Sequence, residues 1–198
     1  MRALGLVVVY LIGAIPVGFL VARVAGGIDI RAKGSGTIGA TNVLRTLGPV
    51  PAVLTLLGDV AKGYLAVRVA EVFGPEPAWG AAGALLAIVG NCWPVFLRFK
   101  GGKGVATALG AFLALTPAAI VPAALVWIVL VAAFRYVSLA SILASVSLVP
   151  GAWSLGYAPT YVATAAIAAA LIAWRHNENV KRLLSGTERR LGQRAPAA

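Results

Sequence analysis

Residues 3–174 form a succession of apolar runs, broken only by short polar gaps, and several runs approach the ~20 residues a helix needs to cross a bilayer. Nothing else in the sequence constrains the fold as strongly. A segment buried in hydrocarbon must satisfy its own backbone N–H and C=O groups, so runs of this kind become helices. Composition supports the setting: 60% of residues are hydrophobic and 12% are charged. Soluble chains average about 45–50% apolar and about 25% charged. The expectation is an all-α, polytopic integral membrane protein organised as a single domain, 1–198.

The runs cover residues 3–25, 50–73, 79–97, 105–134, 138–153 and 160–174. The first is longer than the ~7–15 apolar residues of a signal peptide and is read as an uncleaved span. Pro16 and Gly18 within it are tolerable in a membrane helix. The run 105–134 is too long for one ordinary span, and Thr116, Pro117 and Pro122 interrupt it. A turn near Thr116-Pro117 makes seven spans. The basic segments 33–45, 98–103, Arg135 and 175–190 then share one side, while Glu71 and Glu76 fall opposite. Treating 105–134 as one kinked span would split the basic segments between the two sides. The lysine/arginine asymmetry of membrane proteins therefore favours seven spans, an outside N-terminus and a cytoplasmic C-terminus.

The net charge of +11 does not point to nucleic acid, because the basic residues sit in the gaps between apolar runs rather than along one face. The single cysteine, Cys92, excludes an intramolecular disulfide. With only one histidine besides, the chain cannot build a cysteine/histidine zinc site. No metal or cofactor is expected. Cys92 lies in an apolar run and is read as a packing residue rather than a nucleophile.

Two glycine-rich basic loops stand out. In Lys33-Gly34-Ser35-Gly36-Thr37-Ile38-Gly39-Ala40-Thr41-Asn42, followed by Arg45, the glycines allow positive φ and close backbone approach. Successive N–H groups in such a turn form an anion-binding concavity. The match to G-x-G-x-x-G, with Asp59 twenty residues past Gly39, lacks the strand and βαβ unit that a dinucleotide site requires. Lys100-Gly101-Gly102-Lys103-Gly104 resembles part of a P-loop. However, Leu97 stands where its first glycine belongs, and Gly104 stands where Ser or Thr would bind magnesium. Snorkelling cations on plain interfacial turns would explain one basic loop, but not two that are both dense in glycine.

Asp59 and Lys62 share a helix face inside the second span, a depth at which ionisable groups are functional or pair structurally. His176, the only histidine, follows the last span on the same side as the two loops, where it could act as base or hydrogen-bond partner. The His-x-x-x-x-Asp pattern found in one class of acyltransferases is absent, since Lys181 takes the aspartate position.

Residues 34–42, 99–107 and 176–183 resemble, in order, the three signature motifs of the bacterial acyl-phosphate-dependent glycerol-3-phosphate acyltransferases, the PlsY type. Asp59-Val60-Ala61-Lys62-Gly63 resembles a further segment of that family. Thr37 departs from an expected Asn and is assigned no role. Asn91 departs from a frequent His, leaving His176 as the sole imidazole. The resemblance implies acyl transfer from a fatty acyl phosphate to the 1-hydroxyl of glycerol 3-phosphate, giving lysophosphatidic acid and phosphate. It implies no covalent intermediate and places the protein in the bacterial inner membrane with its site facing the cytoplasm.

On this reading Ser35, Arg45, Lys103, His176 and Asn179 form the catalytic set. Gly34, Gly36, Gly39, Ala40, Thr41, Asn42, Gly101, Gly102, Gly104, Thr107, Asp59 and Lys62 are substrate-binding positions. Ser35, Thr41, Arg45 and Lys103 bind phosphate, while His176 and Asn179 position the glycerol hydroxyls. Membrane lipid and the enzyme that makes the acyl phosphate are the expected partners; nucleic acid is not. A competing reading makes the chain a small transporter of phosphate-containing anions, with Asp59–Lys62 as its coupling pair. Such carriers usually show repeats and a midplane site, and neither is visible here. A membrane scaffold, the third reading, has no use for glycine nests.

Overall fold

The computed structural model describes residues 2–193; Met1 and residues 194–198 lie outside the described residues. Ten α-helices are present among them, with no strand: α1 (Arg2–Ala14), α2 (Val17–Gly26), α3 (Ala40–Leu47), α4 (Pro49–Phe73), α5 (Pro77–Cys92), α6 (Val105–Leu115), α7 (Pro117–Phe134), α8 (Val137–Ser154), α9 (Pro159–Arg175) and α10 (Asn177–Leu184). Five segments are long and apolar enough to cross a membrane: Arg2–Gly26, Pro49–Phe73, Pro77–Leu97, Pro117–Phe134 and Val137–Ser154. Helices α6 and α9 are shorter apolar segments, with 11 and 17 residues. The outward faces carry large apolar side chains, such as Val53, Leu54 and Leu57 on α4 and Val121, Leu125 and Val129 on α7. That is the reverse of a water-soluble surface and suits a lipid environment.

The turn expected near Thr116-Pro117 is present, with Pro117 opening α7 and Pro122 accommodated inside it. The first span differs from expectation. Rather than one helix passing through Pro16, it breaks at Ile15–Pro16 into α1 and α2. Lys62 of α4 donates its Nζ to the freed Ile15 carbonyl at 2.7 Å, so a buried cation fills the gap in the helical ladder.

Helix crossings are built on glycine. A Cβ on Gly63 of α4 would run into the Thr107 carbonyl of α6, and one on Gly110 of α6 into the Val60 carbonyl of α4. Gly13 of α1 and Gly90 of α5 meet the backbone of each other's helix in the same way. In hydrocarbon, where apolar burial gives no net drive, such close backbone approach is a main source of packing energy. The largest core cluster runs through Val67, Ile88, Phe112, Ala119, Leu148 and Ile172 and joins α4, α5, α6, α7, α8 and α9. Helix α7 packs mainly on α8 and touches α6.

The polar segments gather at one end of this bundle. Arg175 at the end of α9 donates to the Gly102 carbonyl at 2.9 Å, Arg45 of α3 reaches the Arg189 carbonyl at 3.2 Å, and Arg135 beyond α7 donates to the Leu191 carbonyl at 2.7 Å. The charge-based count of seven spans placed these basic segments on one side, and there they are. Arg68 and Glu71 pair at the opposite end of α4.

Candidate active site

The first loop is held in shape by one buried side chain. Asn42, in the first turn of α3, accepts from the Ser35 N–H at 2.9 Å through Oδ1. Its Nδ2 faces the carbonyls of Ile30, Lys33 and Thr37 at 3.2, 3.1 and 2.8 Å. Gly34 must be glycine on two counts: its φ is +60°, and a Cβ would strike Asn42 Oδ1. Ser35 Oγ pairs with Thr37 Oγ1 at 3.0 Å, which gives the departure at position 37 a local partner. Gly39 caps α3, so the free N–H groups of Ala40 and Thr41 lie at a positive helix end.

The second loop is shaped by its contact with the end of α5. Gly102 donates its N–H to the Asn91 carbonyl at 2.9 Å, and a Cβ on Gly101 would collide with that same carbonyl. Gly104, at φ +83°, caps α6, whose first residues Val105 and Ala106 therefore also present unpaired N–H groups. Lys103, projecting between them, donates to Asn179 Oδ1.

The third segment begins where α9 ends. His176 is buried, and its Nδ1 stands 2.8 Å from the Ile172 carbonyl. A carbonyl only accepts, so a neutral ring carries its proton on Nδ1, leaving the Nε2 lone pair free. Burial and the nearby Lys103 charge hold the imidazole down to about 4, so it is neutral at pH 7. Burial likewise lowers Lys103 to about 8, with Arg182, Arg45 and Arg175 adding repulsion and Glu188 opposing it. Burial also lowers Arg45, which stays charged.

These three segments line one cavity of about 670 Å³. Its polar mouth is formed by Gly34, Ser35, Gly39, Ala40, Thr41, Asn42, Arg45, Lys103, Gly104, His176 and Asn179. The remainder is apolar and continues between α6, α7, α8 and α9 past Leu109, Phe112, Ile120, Ala124, Leu148 and Ala168. Leu56 of α4 and Ile128 of α7 both line it and are 40% and 55% exposed, so the cavity opens sideways between those helices.

Several expected positions are not brought to this cavity. Gly36, Gly101, Gly102, Thr107 and Lys62 do not line it. Gly101 and Gly102 are consumed by packing on α5, and Thr107 is fully buried in α6 at its crossing with α4. Lys62 is fully engaged, with Nζ 2.8 Å from Asp59 Oδ1 as an ion pair and donating to Asn91 Oδ1 at 2.9 Å as well as to Ile15. The structural reading of the Asp59–Lys62 pair thus describes Lys62, while Asp59 does reach the cavity wall. Asn42 also reaches it, but its amide is spent on the loop. Cys92 is buried behind Gly104 and outside the lining. No group of three or more His, Cys, Asp or Glu side chains able to hold a metal occurs among the described residues.

The sequence reading missed Asn91, Ser138, Ser141, Arg182, Glu188 and Arg189, which also line the cavity. Glu188 had the one visible signal, as one of only two acids, with Glu178, in the basic tail.

Fold and cavity together define an integral, multi-pass membrane protein with a basic, glycine-lined mouth on a largely apolar chamber. The family model described as glycerol-3-phosphate acyltransferase matches residues 3–186. The glycerol-3-phosphate acyltransferase of Geobacter sulfurreducens is 46% identical over 92% of this chain and 94% of its own. That of Thermus thermophilus is 49% identical over 97% and 96%. The crystal structure of PlsY, an integral membrane glycerol 3-phosphate acyltransferase, in its glycerol 3-phosphate form superposes with a TM-score of 0.90 at 40% identity, covering 96% of each chain. Its lysophosphatidic acid form gives 0.88 over 96% of this chain and 95% of that one. The chain belongs to the glycerol-3-phosphate acyltransferase family. The carrier reading finds no support among these relatives.

Proposed function

We propose that this protein transfers a fatty acyl group from acyl phosphate to the 1-hydroxyl of glycerol 3-phosphate, releasing lysophosphatidic acid and inorganic phosphate. One observation carries the reading: three sequence-distant polar segments meet at the charged mouth of a chamber whose other walls are apolar. Both substrates are anionic, and the donor and product also carry a long hydrocarbon chain. Lys103, Arg45, Ser35 and the first N–H groups of α3 and α6 offset the repulsion between two phosphates. The chain lies in the apolar portion and enters through the opening beside Leu56 and Ile128. The donor reaches that opening from the bilayer, by handover from the enzyme that makes it.

The chemistry asks little more than alignment. The glycerol oxygen attacks the acyl carbonyl carbon, the C–O bond to phosphate breaks, and phosphate departs with the electron pair. Holding the reactants together can remove up to about 7–11 kcal/mol of barrier. The hydroxyl proton passes to a phosphate oxygen of the substrate, because the one imidazole has no carboxylate partner and a pKa near 4 makes it a weak base. His176 instead accepts a hydrogen bond from a glycerol hydroxyl at Nε2. The positive-inside asymmetry puts this mouth at the cytoplasmic face, with the N-terminus outside.

Purified protein incubated with acyl phosphate and radiolabelled glycerol 3-phosphate should form the ester in detergent. Failure to form it, with label accumulating only inside vesicles, would sink the proposal. His176→Ala should weaken glycerol 3-phosphate binding and slow turnover without abolishing it. Complete loss of turnover at unchanged affinity would make the imidazole the base.

A further inference from the structure

We propose that Glu188 is a positioning residue of this site, acting through Asn179 to hold the Lys103 ammonium in place. The inference rests on the acyl-transfer reading and extends it to a segment beyond the three motifs. Glu188 follows α10, past the residues the family model matches, yet its side chain is only 4% exposed and lines the cavity. Oε1 accepts from Ser138 Oγ of α8 and from Asn179 Nδ2, each at 2.7 Å, and Oε2 accepts from Arg182 Nε at 2.8 Å.

The chemistry of the groups fixes the direction of the chain. A carboxylate only accepts and an ammonium only donates, so the Asn179 amide between them has one workable orientation. With Nδ2 toward Glu188, Oδ1 faces Lys103, as observed. Flipping it would set a carbonyl against a carboxylate and an amide NH2 against an ammonium. Without a carboxylate to orient it, that amide is free to turn, and Lys103 loses the acceptor that holds it.

The segment bearing Glu188 is itself tied down on several sides. The N–H groups of Thr187 and Glu188 donate to the Arg182 carbonyl, Arg45 donates to the Arg189 carbonyl, and Leu191 exchanges hydrogen bonds with Arg135. It therefore straps α3, α10 and the α7–α8 turn together across the polar mouth. Glu188 is also the carboxylate that acts most strongly on Lys103. The other charges there are Arg45 from α3, Arg175 from the end of α9 and Arg182 from α10, with His176 neutral beside them. Removing the carboxylate's charge leaves the nearby arginines less opposed, which makes the Lys103 proton easier to lose.

The test is Glu188→Gln in the full-length protein, with kcat/KM and calorimetric glycerol 3-phosphate affinity followed against pH. The variant should lose about 10–100-fold in kcat/KM, the range for a hydrogen bond to a charged group. The alkaline limb of both profiles should move to lower pH. Glu188→Asp should return the limb to its wild-type position while recovering the rate only in part. Wild-type activity in Glu188→Gln, or a loss with the limb unmoved, would overturn the proposal in favour of a merely structural strap. Should Glu188→Gln not fold, Glu188→Asp carries the test: a wild-type rate, or a lowered rate at unchanged glycerol 3-phosphate affinity, overturns the proposal; weakened affinity at an unchanged melting temperature supports it, and weakened affinity with a lowered melting temperature counts for the strap. Should the wild type form no ester at all, the acyl-transfer reading fails, and the affinity profile still judges Glu188.

Discussion

Two lysines, one buried and one half-buried, play opposite parts in this molecule. Lys62 has spent its donors on Asp59, Asn91 and the Ile15 carbonyl, inside the bundle and away from the cavity. Removing one partner of a buried ion pair strands the other charge and costs about 3–5 kcal/mol. Lys62→Met should accordingly show a large drop in Tm in detergent, and an unchanged Tm would refute the structural role. Lys103 faces the chamber. Its charged form is the one that binds anions, and burial brings its pKa to about 8. Activity governed by Lys103 is therefore full below that value and falls as pH rises through it. Because kcat/KM reports the free enzyme, its pH profile should show an alkaline limb near 8. Lys103→Met should lose about 10²–10³-fold in kcat, as removal of a preorganised charge-stabilising donor does.

At the level of helices, the sequence disclosed the parts that depend on local pattern. Hydrophobic run length and charge placement gave the spans, and the Thr116-Pro117 turn followed from charge bias. The break at Ile15–Pro16 was not legible, since proline is often tolerated in membrane helices. What makes it a break here is a lysine 47 positions away that accommodates the free carbonyl. The Asp59–Lys62 pairing could be seen because its spacing is helical; its third member, Asn91, belongs to another helix. Glu188 is the same case at longer range, because its bond to Ser138 spans 50 positions and no periodicity announces it. Helix crossings allow a sharper test. Gly110→Val would push a branched side chain into the Val60 backbone, so the variant should express poorly or melt early by thermal shift. Gly39→Val, where nothing lies within 4 Å of a new Cβ, should leave the melting temperature nearly unchanged.

Taken whole, the molecule is a bundle with its basic segments at one end and a chamber open to the side. Sequence motifs foretold that the segments would meet, but not that the cavity would open between α4 and α7. That sideways opening means the solvent used to extract the protein is itself a competitor. A single-tailed amphiphile with an acidic head resembles the product, so anionic detergents should inhibit against acyl phosphate, and KM for the donor should fall on transfer into lipid nanodiscs. On the proposed acyl route, the gap beside Leu56 and Ile128 makes the host bilayer a reagent in every rate measured.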